Sequence, residues 1–373
     1  MKKGLFFVLA LSLMLSTAAF AADTIKIGLM APLTGKWANE GQEMKQVVDL
    51  LADELNAAGG LLGKKVEVIS EDDAGDPRQG ALAAQRLSTQ DVVASVGTYG
   101  SSTTEATQGI YDEYEIIQIA NASTAVRLSE KGLPLFFRSC PRDDEQGIVG
   151  AKTLIKAGYK KIALLHDNTS YASGLATEIR NELEREGVKP VFFEALTPGE
   201  QDYAAILTKM KGANPDVVFF TGYYPEAGLM LRQKKEMGWN VPFMGGDATN
   251  NPDLIKSAGK DAAAGYMLVS PPVPGDLDTP EAKAFLDAFK KKYTGQPGSI
   301  WSVLAGDGFN VICEAIQKAG TTDTKKVAEY LKTQMKDFPG LTGKLAFNNK
   351  GDRVGDVYRI YKVDAGGNFV LQQ

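Results

Sequence analysis

Two hydrophobic periods alternate along this chain. Short apolar runs over Ile25–Met30, Val66–Ile69, Val92–Val96 and Ile116–Ile119 read as strands. Between them, apolar residues recur at helical spacing. Val47, Leu50, Leu51 and Leu55 form one stripe over Glu43–Ala57, stopped by Gly59-Gly60; a second covers Ala81–Leu87, and a third begins near Ser101-Ser102. The alternation then restarts, with helices over Asp144–Ala157, Leu175–Glu186, Tyr203–Met210 and Glu226–Met237. The strands Lys161–Leu165, Val191–Phe193, Val217–Phe220 and Val241–Met244 fall after them. Strands joined by helical stretches of this length take right-handed crossovers and build parallel, doubly wound sheets. Two such α/β units are predicted, with ligands expected beyond the carboxyl ends of the strands. After Pro271-Pro272-Val273-Pro274 the pattern turns helical, over Glu281–Lys292, Ile300–Lys318 and Lys325–Lys336. It closes on a strand pair around Asp352–Val363 and Phe369–Leu371.

The first residues follow a different pattern. Lys2 and Lys3 precede an apolar stretch, Leu5–Leu15, broken only by Ser12. Ser16-Thr17-Ala18-Ala19-Phe20-Ala21 then puts small residues at the −3 and −1 positions of a cleavage site after Ala21. Charge, apolar core and cleavage site in this order are expected of a secretory leader over residues 1–21, whereas a bilayer span needs about 20 apolar residues. Without a cysteine at that site, a free periplasmic protein is expected rather than a lipid-anchored one. The remaining 352 residues exceed what one core usually organises, so two lobes are expected.

Losing Lys2 and Lys3 takes the formal charge from −5 to −7, which argues against nucleic acid as a partner. Lys290-Lys291-Lys292 and Lys325-Lys326 read as solvated helix faces. Cys140 and Cys313 are the only cysteines. An oxidising compartment permits a bridge between them, but Cys313 lies in the apolar helical stretch Phe309–Ile316, where a buried thiol fits as well.

Several short stretches carry a resemblance. Gly59-Gly60-Leu61-Leu62-Gly63, Asp72-Asp73-Ala74-Gly75-Asp76-Pro77, Gly97–Thr104, His166-Asp167 with Tyr171, and Thr221-Gly222-Tyr223-Tyr224-Pro225-Glu226 are individually weak. In this order and spacing the chain resembles the leucine/isoleucine/valine-binding proteins, type I periplasmic solute receptors of ABC transporters, over essentially its whole mature length. The resemblance implies two lobes joined by three crossovers, near Arg138–Asp143, Ser270–Gly275 and Asn348–Gly351, with the ligand in the cleft. The lobes would comprise residues 22–139 with 273–348, and 140–272 with 349–373. It also implies a small amino-acid ligand, delivery to a membrane permease, a monomer, and no cofactor or metal.

The family's binding positions carry over one by one. Ser101, behind Gly97-Thr98-Tyr99-Gly100, opens a helix after a strand. Free N–H groups and the helix dipole suit a carboxylate there, although the bare pattern fits a plain N-cap serine better. Thr124 is expected on the same carboxylate, and the Ala122 carbonyl on the ligand ammonium. Asp247, in Gly245-Gly246-Asp247, matches the acidic residue that pairs with the ammonium; by pattern alone it is a turn residue. Tyr171 and Tyr223 match the aromatics that close over the ligand, and each also fits a half-buried tyrosine with a wet hydroxyl. A zwitterion in a closed cleft needs both charges paired, because an unpaired buried charge is costly.

Departures from the pattern bear on specificity. Glu40 stands where leucine-binding relatives have an aromatic residue, and Trp37 is a candidate to fill that space. Tyr99 replaces an aliphatic pocket residue, and Asp247 is one methylene shorter than the family's glutamate. A smaller or more polar amino acid than leucine is therefore expected, such as alanine, valine, threonine or serine. Gly75 and Gly100 replace two cysteines that are bridged in close relatives. Three other readings compete. The same fold binds amides, urea or aromatic carboxylates in other relatives, though Asp247 would repel a ligand carrying only a carboxylate. An enzyme built on His166-Asp167 lacks a Gly-x-Ser-x-Gly elbow, a phosphate loop, a dinucleotide fingerprint or a metal-ligand cluster. A transcription regulator needs a DNA-binding helix pair where the leader stands.

Overall fold

A computed structural model of the chain describes residues 24–355 and 357–372. The leader expected over residues 1–21 lies outside the described residues. The first half alternates as expected: β1 (Ile25–Ala31), α1 (Ala38–Ala57), β2 (Val66–Asp72), α2 (Pro77–Ser88), β3 (Ala94–Val96), α3 (Ser101–Glu113), β4 (Ile117–Ala120), α4 (Arg127–Glu130) and β5 (Phe136–Arg138). These strands form one all-parallel sheet in the order β2-β1-β3-β4-β5. The strand order reverses across β1 and β3, which opens a crevice at their carboxyl ends.

A second unit follows: α5 (Asp143–Lys156), β6 (Ile162–His166), α6 (Ser170–Arg185), β7 (Phe192–Ala195), α7 (Ala204–Gly212), β8 (Val217–Phe220), α8 (Tyr224–Glu236), β9 (Phe243–Gly245), α9 (Pro252–Ala258), α10 (Lys260–Ala263) and β10 (Met267–Ser270). The chain then supplies α11 (Pro280–Tyr293), α12 (Ile300–Ala319), α13 (Thr324–Thr333) and the hairpin β11 (Phe338–Gly340) with β12 (Gly343–Leu345), all on the first unit, where α12 packs on α1, β3 and β4. Finally β13 (Arg359–Val363) and β14 (Phe369–Leu371) return to the second sheet, whose order is β14-β13-β10-β9-β8-β6-β7. β13 is antiparallel to both of its neighbours, and the rest of that sheet is parallel.

The molecule thus has two lobes, one built on a parallel sheet and the other on a mainly parallel one, each between helices, with continuous apolar strands such as Ile162–Leu165 and Val217–Phe220 fully buried. The helix expected from Glu43 begins at Ala38 instead. Gly41 allows this: a Cβ there would sit 2.2 Å from the Pro32 carbonyl oxygen. Expected strand Asp352–Val363 is split. Asp352 makes only an isolated parallel bridge to Arg138, and the ladder resumes at Arg359.

Two of the crossovers are bound together where they run side by side. Arg138 is fully buried, with its Nε 2.8 Å from Asp352 Oδ1, and Arg142 Nη1 donates to Asp352 Oδ2 at 2.8 Å. Burial alone would raise the Asp352 carboxyl, but the two guanidinium groups outweigh it and hold it below the ordinary carboxylate range. Cys140 and Cys313 are both buried free thiols, and burial pushes Cys140 up to about 12.

Candidate functional site

The expected ligand positions converge where the two sheets' carboxyl edges face each other. On the first lobe, the loop after β3 turns into α3, and Ser101 is that helix's first residue. The first N–H groups of a helix have no intrahelical acceptor and lie at its positive end. Ser101 is 1% exposed, and its Oγ accepts the Ala125 N–H at 3.3 Å. The loop after β4 runs alongside, with Ala122 and Thr124 buried in it. This loop is fixed from two sides: Asn121 Nδ2 donates to the Trp301 carbonyl at 2.9 Å, and the Ser123 hydroxyl donates to the Thr98 carbonyl at 2.8 Å.

The second lobe presents carboxyls. Asp247 opens a single 3-10 turn after β9 and is 1% exposed. Its Oδ1 accepts the Tyr171 hydroxyl at 2.9 Å and its Oδ2 the Tyr358 hydroxyl at 3.0 Å. Its N–H donates to Gln146 Oε1 at 3.3 Å. Burial nevertheless pushes the Asp247 carboxyl up to about 7, against those hydroxyl donors. Asp143, at the start of α5, is fully buried beside the Thr124 hydroxyl, and its own N–H donates to the Thr124 carbonyl at 3.0 Å. Burial, and then the Asp247 charge, holds Asp143 well above the ordinary range. Two buried carboxyls beside each other leave a place for a cation.

Aromatic rings wall the space between these poles. The Tyr223 ring centroid lies 4.3 Å from Trp37, 5.8 Å from Tyr99 and 5.3 Å from Tyr171. Trp37 meets Tyr99 edge-on at 5.2 Å, and Trp301 stands behind Tyr99 at 6.4 Å. Tyr171 and Tyr223 sit at the starts of α6 and α8, so both rings come from strand–helix turns. Gly75 and Gly100 make room for the indole. A Cβ on Gly75 would lie 2.6 Å from Trp37 Cε3, and one on Gly100 3.2 Å from its Cζ3.

The lobes touch on both flanks of this space. On one side Ser170 N–H donates to the Ser102 hydroxyl at 3.0 Å, and the Ser170 hydroxyl donates to Glu105 Oε2 at 2.9 Å. On the other, the Tyr224 hydroxyl donates to the Lys36 carbonyl at 3.3 Å, and Asn251 Nδ2 donates to Glu40 Oε1 at 2.6 Å. Glu40, expected beside the ligand, therefore has one oxygen committed across the cleft. His166 and Asp167 do not form an acid–base pair: His166 Nδ1 accepts the Asn168 N–H, and Asp167 Oδ1 accepts the N–H and hydroxyl of Thr169.

Tyr171, Tyr223, Asp247, Tyr99, Trp37 and Gly100 thus form one contact cluster across the lobes, and Ser101, Ala122 and Thr124 lie buried in the neighbouring turns of the first lobe. Four further residues shape it. Tyr358 carried no signal, since it follows a crossover and reaches Asp247 only through the fold. Trp301 read as helix core. Asp143 and Gln146 lie in the first turn of α5, where an acidic residue reads as ordinary helix chemistry.

Comparison with known proteins fits this geometry. A family model described as periplasmic binding protein matches residues 24–368. The leucine-, isoleucine-, valine-, threonine- and alanine-binding protein of Pseudomonas aeruginosa is 37% identical over 345 residues, 92% of this chain and 91% of that protein. The crystal structure of LivJ, a branched-chain amino acid transporter substrate binding protein from Streptococcus pneumoniae in complex with isoleucine, is 30% identical. Its TM-score is 0.84, covering 94% of this chain and 100% of that one. An R. palustris solute binding protein in complex with benzoate has the same fold at 19% identity, with a TM-score of 0.84 over 94% of this chain and 95% of its own. Matched along nearly its whole described length, the chain belongs to the periplasmic binding protein family, among the relatives named for leucine, isoleucine and valine.

Proposed function

We propose that this chain is the periplasmic solute-binding component of an ABC importer, and that it captures a small L-amino acid between its lobes and delivers it to a membrane permease. One observation carries the reading: a helix N-terminus with Ser101 on the first lobe and the buried carboxyls of Asp247 and Asp143 on the second lie beside a cluster of aromatic rings drawn from both lobes. Ser101, Thr124 and the start of α3 suit a carboxylate. Asp247 and Asp143 suit an ammonium, joined by the Ala122 carbonyl. Paired this way, a zwitterion satisfies groups that are costly to bury alone, so the ligand favours the closed state over the open one. Trp37, Tyr99 and Tyr223 shorten the side-chain end of the cleft, which favours alanine, valine, threonine or serine over leucine.

In this reading the leader over residues 1–21 is removed on export and the mature protein acts as a monomer without catalysis. The lobes divide as residues 22–139 with 273–348, and 140–272 with 349–373. The relative from Pseudomonas aeruginosa, named for five amino acids, supports the class, and the benzoate complex marks the competing ligand chemistry. A thermal-shift screen of refolded, ligand-stripped protein against the twenty amino acids, urea, short amides and aromatic acids tests it, because a ligand bound only to the folded state raises the midpoint. Shifts confined to a few small amino acids are expected. Shifts with benzoate or amides alone would overturn the ammonium role of Asp247.

A further inference from the structure

Asn39 and Glu40 are adjacent on α1 of the first lobe, and each bonds a residue at the start of α9 on the second. Asn39 Nδ2 donates to Asp253 Oδ2 at 2.5 Å, and Glu40 Oε1 accepts Asn251 Nδ2 at 2.6 Å. These four residues line a groove of about 260 Å³ between the lobes, together with Glu43 and Lys256. Glu40 is 1% exposed, and no cation among the described residues pairs with it. A carboxyl buried between the lobes is therefore held by Asn251 of the second lobe, with the Ser299 hydroxyl of its own lobe beside it. Resting on the amino-acid reading above, we propose that Glu40 is a positioning residue for ligand capture. Closure buries it against Asn251 as a neutral acid, and its ionisation opposes that burial as the pH rises.

The charges facing Glu40 from each neighbouring element support this. Glu43, one turn along α1, is satisfied by the N–H groups of Gly298 and Ser299 and the Ser302 hydroxyl. Asp253 of α9 is occupied by Lys256 at 2.5 Å, the cation that lines the groove. Tyr99, from the loop after β3, and Tyr224, at the start of α8, face it as neutral phenols, both pushed up by burial. Two carboxylates and no free cation surround it. Burial, opposed by the Ser299 hydroxyl and reinforced by Glu43, pushes Glu40 up to about 8. In an open cleft the same group meets water and titrates near the ordinary value of about 4.3. Closing between those two pH values takes up a proton. The closed cleft is thus favoured at low pH, and that support is lost as pH climbs through about 8. Asp247 acts in the opposite sense, because a ligand ammonium favours its ionised form.

The test compares the pH profiles of wild type, Glu40→Gln and Glu40→Ala mature protein. Calorimetry at pH 6, 7, 8 and 9 would use L-leucine, L-threonine and L-alanine as probes. The Asp247 contribution is common to all three proteins, so the ratio of affinities isolates Glu40. Glu40→Gln keeps the shape of the neutral acid. It should bind about tenfold or more tightly than wild type at pH 9, with the advantage shrinking toward pH 6. Glu40→Ala should lose the same pH-dependent component while binding more weakly than Glu40→Gln at pH 6, so either variant suffices if the other does not fold. An affinity ratio to wild type that stays constant from pH 6 to pH 9 overturns the proposal alone. A wild type that binds none of the probes at any pH overturns the amino-acid reading, and the proposal with it.

Discussion

Asp247 is held by two tyrosine hydroxyls from distant parts of the chain, Tyr171 before it and Tyr358 after the last crossover. Both oxygens are oriented before any ligand arrives, which lowers the cost of ordering the site on binding. Asp247→Asn is expected to weaken amino-acid affinity by about 2–5 kcal/mol, the usual loss when one partner of a buried charge pair is removed. The pH response has a definite sign at this residue. Burial raises the Asp247 carboxyl to about 7, so below that pH a ligand ammonium must displace its proton. The contribution of Asp247 to affinity therefore falls as pH drops through about 7, and Asp247→Asn should abolish that component. Calorimetry that finds unchanged affinity in the variant would remove Asp247 from the site. A second residue-scale test concerns Gly75, whose φ of +68° and contact with Trp37 both resist a side chain. Gly75→Ala should cost about 1–3 kcal/mol of stability in urea unfolding. The cost should shrink by about 0.5 kcal/mol or more in a Trp37→Ala background, where the clash is gone; equal costs in both backgrounds would mean that the two do not couple. Gly75 and Gly100 were legible only as lost cysteines. Their packing purpose was invisible, because a glycine in sequence does not name the ring that needs its space.

Elements with a full period of hydrophobic residues were legible, and elements without one were not. Helices α1, α6, α8 and α12 carry several turns of apolar stripe, and β6 and β8 are unbroken apolar runs; their existence follows from pattern, with ends displaced by a few residues. β5, β10 and the hairpin β11–β12 are three or four residues each, too short to show a period. They are strands because a neighbouring edge pairs with them: β4 with β5, and β9 and β13 with β10. The same limit hid Tyr358 and Asp143, whose place in the cleft depends on where the crossovers run. At the crossovers themselves, Asp352 sits between Arg138 and Arg142. Asp352→Asn leaves a buried guanidinium without its counter-charge, and a stability loss of about 3–5 kcal/mol is expected by chemical denaturation. A loss below about 1 kcal/mol would show that this ion network does not hold the two crossovers together.

At the scale of the whole molecule, a rigid frame carries a cleft whose walls belong to different lobes. Ser101 and Thr124 come from the first sheet and Asp247, Tyr171 and Tyr223 from the second, so a ligand held by both sets is also a bond between lobes. The direct contacts at Ser170 and at Glu40 add to that bond on either flank. Under the proposed function, occupancy is thereby coupled to shape, which lets a permease distinguish a loaded receptor from an empty one. The interleaved path of the chain has a consequence for how it is made. The first sheet is finished near Arg138, yet its core waits for α12, which packs on α1, β3 and β4, and the second sheet acquires β13 and β14 only in the last fifteen residues. Such late, long-range closures make folding slow. The first lobe cannot bury its core until α12 has been made, so its sheet stays pliable long after its last strand has emerged.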